Sequence, residues 1–388
     1  MSRIDDLIAK LCPEGVRHVG LGEVGEFIRG AGIQKKDLGD VGRPAIHYGQ
    51  VFTHYSVFAT TTKSFVDNSL GARRWAQPGD LVIATTSEND EDVCKAVAWI
   101  GDEPAAISSD AMIYRHPFDP KFIAYWFQSA NFHDQKARFV SGTKVKRVSA
   151  QNLARIVAPA PPLEVQRAIV EVLDTFTELE AELEAELEAE LEARRHQIDH
   201  YRDVLLRGAL GESTTVELGE VMRPVFGTRI TKATNSGSRF PVYGGGGESF
   251  RTDRFNREDE FVVSRFAMSQ QCVRRVVGEF WLLDSGFTVE VTCDGLLKEF
   301  LGEQLIRMQP QIFASSSQSA QKNIRIDEFL RLRMEVPPVT EQIRVLNVLR
   351  RFAESTDDLS IGLAAEVRAR RKQYEHYRDK LLTFREAS

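Results

Sequence analysis

The sequence predicts an α+β protein built twice over: two globular modules, each followed by a long helix. Three observations carry this. Residues 161–206 align with 337–382 at a constant offset of 176 without a gap. A weaker match opens each module, with Leu21-Gly-Glu-Val24 falling on Leu218-Gly-Glu-Val221 at an offset of 197. Between these matches, short β-branched and aromatic runs lie among Gly, Pro and Asn turns and are interrupted by helical stretches.

The first module takes residues 1–158 and the second 213–335, with helical segments at 159–212 and 336–388. In the first, Asp80-Leu-Val-Ile-Ala84 reads as a strand and Phe122 to Ser129 as a helix; in the second, Glu260-Phe-Val-Val-Ser264 and Phe287-Thr-Val-Glu-Val291 read as strands. Gly30, Ile33, Lys35 and Pro44 fall on Gly227, Ile230, Lys232 and Pro241. Near the module ends Val148-Ser-Ala-Gln-Asn-Leu153 falls on Ile324-Arg-Ile-Asp-Glu-Phe329 at 176 again, so the first module carries about 21 extra residues internally.

Each long helix is set off by paired prolines, Pro161-Pro162 and Pro337-Pro338, followed by Gln166 and Gln342. At the far ends Arg194 to Leu206 matches Arg370 to Leu382 at nine of thirteen positions. The apolar columns between agree, Leu173 with Leu349 and Leu187 with Leu363 among them. About 44 residues at 1.5 Å each make a rod of roughly 66 Å. Glu178-Leu-Glu-Ala repeats four times to Ala193, so its leucine stripe drifts about 40° per repeat and is no heptad. The second helix lacks the repeats, and Gly362 is expected to interrupt it. Because the first helix leaves one module and enters the other, pairing requires the second to run back. The helices should form an antiparallel coiled coil with pseudo-two-fold symmetry.

A chain of 388 residues, 42% hydrophobic, can bury a core in each of two domains. The first residues lack a signal peptide's apolar run and no later run is long enough to span a membrane, so the expected compartment is the cytoplasm. Cys12, Cys94, Cys272 and Cys293 are widely spaced, which predicts reduced, mostly buried thiols and neither a disulfide framework nor a metal site. The net charge is −6, yet Glu178 to Ala193 alone holds eight glutamates and no base, leaving the remainder at +2.

Catalytic motifs are missing. There is no glycine-rich cofactor loop after a strand, no Asn/Asp-Pro-Pro-aromatic methyltransferase motif and no GxxxxGK[ST] loop. Gly244 to Gly247 lacks the Lys-Ser/Thr step and reads as a turn between strands. No HExxH occurs, and His200 and His376, at equivalent helical places beside Tyr201 and Tyr377, read as packing residues.

What remains is a binding surface. Lys35, Lys36, Arg73, Arg74, Lys144, Lys146, Arg147, Arg265, Gln321, Lys322 and Arg325, with Tyr48, Gln50, Lys232, Tyr243, Gln270 and Gln271, put basic, amide and aromatic side chains in turn-rich segments. Arg and Lys suit phosphates and guanine edges, and Gln suits adenine. Ordinary solvated charges read the same way one residue at a time; recurrence at Lys144 to Arg147 and at Gln321 to Arg325 sets those two loops apart.

Two modules ending in such loops, then Pro-Pro-x-x-x-Gln, then a helix closing on Arg-Arg-x-Gln-x-x-x-Tyr-Arg-Asp-x-Leu-Leu, closely resemble the specificity subunits of type I restriction-modification systems. Asp174-Thr-Phe-Thr-Glu178 and the tetrapeptides are similar to a subgroup with repeats in the central helix. The resemblance implies two target recognition domains, each reading half of a split, asymmetric duplex DNA site. It implies a non-catalytic chain that binds two methyltransferase subunits, with Gln166, Tyr201, Arg202, Gln342, Tyr377 and Arg378 as partner-binding candidates, and restriction/translocase subunits in the full complex. S-adenosylmethionine, ATP and Mg would then belong to the partners, with no cofactor and no metal in this chain. The competing readings are a coiled-coil scaffold binding proteins only and a self-sufficient modification enzyme.

Overall fold

The computed structural model describes residues 3–67, 74–208, 213–245, 247–266, 271–316 and 323–387, with residues 356–360 described by their backbone alone. The chain forms two compact units: Met1–Ala185 with Ala365–Ser388, and Glu186–Ala364.

The first unit is built on a five-stranded mixed sheet in the order Glu26–Arg29, Ala111–Arg115, Leu81–Ala84, Ala96–Trp99, Phe58–Ala59. Its pairs are antiparallel except the last. Leu81–Ala84 and Ala96–Trp99 are buried on both faces, which is why they read as continuous apolar runs. A second five-stranded sheet, Leu38–Gly39, Ser64–Val66, Arg43–Ile46, Ala105–Ile107, Trp75–Ala76, uses strands of two to four residues. The helix expected over Phe122 to Ser129 is instead Pro120–Trp126 followed by Ala130–Ala137. The break falls where Ser129 accepts the Phe132 N–H and starts a new helix, as Asp119 does for the first.

The second unit carries a six-stranded sheet in the order Met222–Phe226, Gly286–Val291, Arg257–Ser264, Val273–Leu282, Phe240–Gly244, Gly247–Thr252. Its first four strands repeat the first four of the first unit. The aligned segments Val148–Leu153 and Ile324–Phe329 become equivalent short helices, Ala150–Ala154 and Ile326–Leu330, each with one fully buried residue, Leu153 and Phe329. The repeated Gly30 and Gly227 share a cause. A methyl group at Gly30 would stand 2.1 Å from the Ser108 carbonyl oxygen, and at Gly227 2.3 Å from that of Leu283.

The long helices are Leu163–Gly208, 46 residues, and Val339–Leu381, 43 residues, rods of about 69 and 65 Å at 1.5 Å per residue. Both begin directly after the second proline, whose carbonyl accepts the N–H of Gln166 in one and Gln342 in the other. Gly362 does not interrupt the second helix. A Cβ there would meet nothing within 4 Å, and the penalty of one exposed glycine, about 1 kcal/mol, cannot break a helix of this length. In the first unit the helices run antiparallel: Phe176 stacks on Tyr377, Thr177 lies by Tyr374 and Glu180 by Arg371. In the second unit Tyr201 stacks on Phe352. Phe352 lies 176 residues after Phe176, and Tyr377 lies 176 after Tyr201, so the same aromatic pair is made twice, with interplanar angles of 7° and 8°. Repeat leucines Leu183, Leu187 and Leu191 are half-buried while Leu179 is exposed, the pattern of a drifting stripe. Cys94 and Cys272 are buried, but Cys12 and Cys293 only half so.

Candidate nucleic-acid interface

Each unit presents one construction at the end of its sheet. In the first, the turn after Arg43–Ile46 is pinned by the Tyr48 backbone N–H donating to Ser108 Oγ at 2.8 Å, while Ser108 N–H returns to Ile46 O at 3.2 Å. In the second, the turn after Phe240–Gly244 is pinned by Gly245 N–H donating to Ser285 Oγ at 3.2 Å, while Leu283 N–H returns to Tyr243 O at 2.9 Å. Tyr48 and Gly245 stand 197 residues apart, the offset of the opening repeat. The recurring loops dock at equivalent places. Lys146–Arg147 pairs with Thr86–Ser87, just past the strand Leu81–Ala84, and Asn323 bridges to Phe266, just past Arg257–Ser264.

The two constructions carry different chemistry. In the first unit the pinned turn opens the short helix Tyr48–Thr53, with the rings of His47 and Tyr48 4.6 Å apart. In the second it is a glycine hairpin whose Gly245 carbonyl accepts Arg274 Nη2 at 3.0 Å and Ser264 Oγ at 2.6 Å. Gly244 and Gly247 are the paired end residues of neighbouring strands, and Gly246 lies outside the described residues.

Of the DNA-binding candidates, Lys35 and Lys36 are exposed on the single turn Lys35–Asp37, and Arg74 is exposed beside Trp75–Ala76. Lys144 and Arg147 are exposed on a hairpin closed by Ser141, while Lys146 is half-buried and paired with Asp90 at 3.2 Å. Lys232, Arg265, Gln271 and Arg325 are exposed, the last paired with Glu328. Arg265 is held at the pinned turn, its N–H donating to Ser285 O and its carbonyl accepting from Ile324. Arg73, Gln270, Gln321 and Lys322 lie outside the described residues. Tyr243 is half-buried, edge-on to Phe280 at 5.6 Å, a core contact. Gln50 is corrected: Oε1 accepts the His47 N–H and Nε2 donates to Ser64 Oγ, so both ends are spent on the turn.

The partner-binding candidates need the larger correction. Gln166 and Gln342 are 4% and 0% exposed. Gln166 Oε1 accepts Asp119 N–H and Nε2 donates to Pro161 O, both at 2.7 Å. Gln342 Oε1 accepts Leu297 N–H at 2.9 Å, and Nε2 donates to Gly295 O and Pro337 O at 2.7 and 2.8 Å. Each staples the start of a long helix to the start of a module helix and presents no surface. Arg378 is buried against Asp379, and Arg202 is held by Glu303 and Asp199. Tyr201 and Tyr377 keep exposed faces, and His200 and His376 are exposed beside them rather than packed.

Sequence reasoning missed His47, Ser108, Ser264 and Ser285; extending the 197-residue offset past Pro44 and Pro241 would have reached the first turn position. Burial lowers the His47 pKa, Asp110 opposes this and Lys35 adds to it. Among the described residues no cluster of three His, Cys, Asp or Glu side chains could hold a metal, and no helix is long and apolar enough to cross a membrane.

Residues 13–193 match the family described as type I restriction modification DNA specificity domain. A Haemophilus influenzae protein described as a type I restriction enzyme specificity subunit is 28% identical over 285 residues, 68% of this chain and 72% of that one. The specificity subunit of the Escherichia coli type I restriction enzyme EcoprrI is 26% identical over 296 residues, 72% of each chain. A solved chain from work on complex assembly and conformational transition of the type I R-M system superposes with a TM-score of 0.70 at 17% identity, over 95% of this chain and 97% of that one. Together with the duplicated modules and paired helices, these matches make the chain similar to the type I restriction-modification DNA specificity subunits, with the matched family domain at residues 13–193.

Proposed function

We propose that each module reads one half of an asymmetric, bipartite duplex DNA site, and that the paired helices set the spacing between the halves. The observation that carries this is the serine-pinned turn, built the same way twice and furnished differently: His47 and Tyr48 in one, a glycine hairpin with Arg274 and Arg265 in the other. Equal scaffolds suit equal approach to duplex DNA, and unequal side chains suit unequal half-sites. The functional parts are residues 1–158 and 213–335 as readers and 159–212 and 336–388 as spacer. The chain is the recognition component and does no chemistry; two methyltransferase subunits dock on it, with Tyr201 and Tyr377 as repeated contact points, and restriction/translocase subunits join the full complex. S-adenosylmethionine, ATP and Mg serve those partners, and the assembly works in the cytoplasm.

Mapping methylated adenines in the host genome with and without this gene tests the reading. The expected result is a gene-dependent, two-part, non-palindromic motif with a fixed gap; a continuous palindrome would overturn it. Deleting one Glu-Leu-Glu-Ala unit removes about 6 Å of helix and should shorten the gap with both half-sites unchanged.

A further inference from the structure

We infer that His47 is a specificity-determining residue of the first module, reading a base-edge acceptor, a purine N7, guanine O6 or thymine O4, through its Nε2–H. The inference rests on the half-site reading above and adds to it which atom reads and what it reads.

The orientation of this imidazole is set by one hydrogen bond and one ring contact on a pinned backbone. Its Nδ1 accepts the Gly49 backbone N–H at 3.2 Å, while the backbone that carries it is held by the His47 N–H donating to Gln50 Oε1 at 3.0 Å and by Gln50 Nε2 donating to Ser64 Oγ at 2.6 Å. The Tyr48 ring, 4.6 Å away, limits rotation on the remaining side. A ring nitrogen that accepts a hydrogen bond carries no proton, so the neutral ring must bear its proton on Nε2. Burial, with Lys35 nearby and Asp110 opposing, lowers the pKa and keeps the ring neutral at ordinary pH. Among the described residues Nε2 makes no hydrogen bond in the network that consumes every other polar atom of His47 and Gln50.

The result is a single, pre-oriented donor beside the pinned turn, in the segment that also exposes Lys35 and Lys36. A donor with no acceptor capacity discriminates among base edges: it suits guanine N7 and O6, adenine N7 or thymine O4 and cannot pair with the cytosine or adenine amino group. Orientation by the protein's own backbone means that little rotamer freedom is lost on contact.

The experiment uses the full chain assembled with its methyltransferase subunits, acting on duplexes randomised in both half-sites, with methylated products sequenced. His47→Ala should relax preference at one base pair of one half-site by about tenfold, the loss expected of one base contact, and leave the other half-site untouched. His47→Phe, which keeps the ring volume without the donor, should relax the same base pair. Unchanged preference in both half-sites, or relaxation that the two variants place at different base pairs, would overturn the inference. If the unsubstituted complex itself shows no two-part preference, the half-site reading fails first, so the two failures are told apart. Circular dichroism of each variant, with the intact second half-site preference as internal control, separates a reading defect from a folding defect.

Discussion

At the scale of single residues, the motif glutamines show how a repeated polar residue can serve the fold. Gln166→Ala leaves the Asp119 N–H and the Pro161 carbonyl without partners, and each buried group left unsatisfied costs about 1–3 kcal/mol. The expected loss for the two groups is about 2–6 kcal/mol in urea unfolding, and a neutral result would remove the staple. His116 supplies a pH test. Its ring nitrogens are shielded from water and the ring lies between Tyr114 and Phe118, at 5.1 and 5.9 Å. Burial pushes its pKa down from 6.5 to about 4, against the opposing charge of Asp80 and a backbone contact of Phe118. Between those values the unfolded chain holds the proton and the folded one does not, so stability falls as pH drops from 6.5 toward 4, by at most about 3 kcal/mol. Unfolding midpoints of His116→Phe at pH 7 and pH 5 should lie closer together than those of the unsubstituted chain.

At the scale of elements, close backbone approach and helix pairing dominate. Gly30→Ala drives a methyl into the Ser108 carbonyl 2.1 Å away, in the turn whose Ser108 hydroxyl pins Tyr48. The strand end must shift, and the variant should lose both thermal stability and any selectivity assigned to the first module; retained selectivity would separate the turn from the reading surface. In the helices, Phe176 on Tyr377 and Tyr201 on Phe352 are the same offset pair made twice. Stacked aromatic pairs contribute about 0.5–1.5 kcal/mol beyond their buried area. Phe176→Ala and Phe352→Ala should therefore cost similar amounts in equilibrium unfolding, and a large inequality would show that the two pairs carry different loads. Apart from Glu180, half-buried beside Arg371, the repeat glutamates that make the chain acidic face water along the first helix, where they contribute solubility and little packing.

At the scale of the whole molecule, the last residues close the first unit. Val16 N–H donates to Arg385 O at 2.8 Å and Ala387 N–H to Val16 O at 3.1 Å, a parallel bridge of Val16 with Glu386. In the 176-residue register Glu386 corresponds to Leu210, where the chain runs on covalently into the second module. The tail therefore does by hydrogen bonding for the first module what the peptide bond does for the second. Truncation after Phe384 should destabilise the first unit by about 1–2 kcal/mol for two such bonds and lower its melting temperature accordingly, and a chain melting unchanged would show the bridge to be idle.

The sequence by itself determined the duplication, the helix starts after Pro162 and Pro338 and the strands Leu81–Ala84 and Gly286–Val291, because periodicity, proline and long aligned stretches are local signals that burial reinforces. It also showed that the loops at Lys144 to Arg147 and Gln321 to Arg325 recur. Only the tertiary structure decided what the repeated polar residues do. Gln166, Gln342 and Gln50 resemble surface contacts in a linear chain, yet partners 47, 45 and 14 positions away in sequence turn them inward. His47 carried no motif and became a candidate only when Gly49 and Tyr48 set its ring and Gln50 held its backbone. Hydrogen-bond satisfaction is set by neighbours in space, and a side chain's freedom to meet a ligand is what remains after the fold has taken its share.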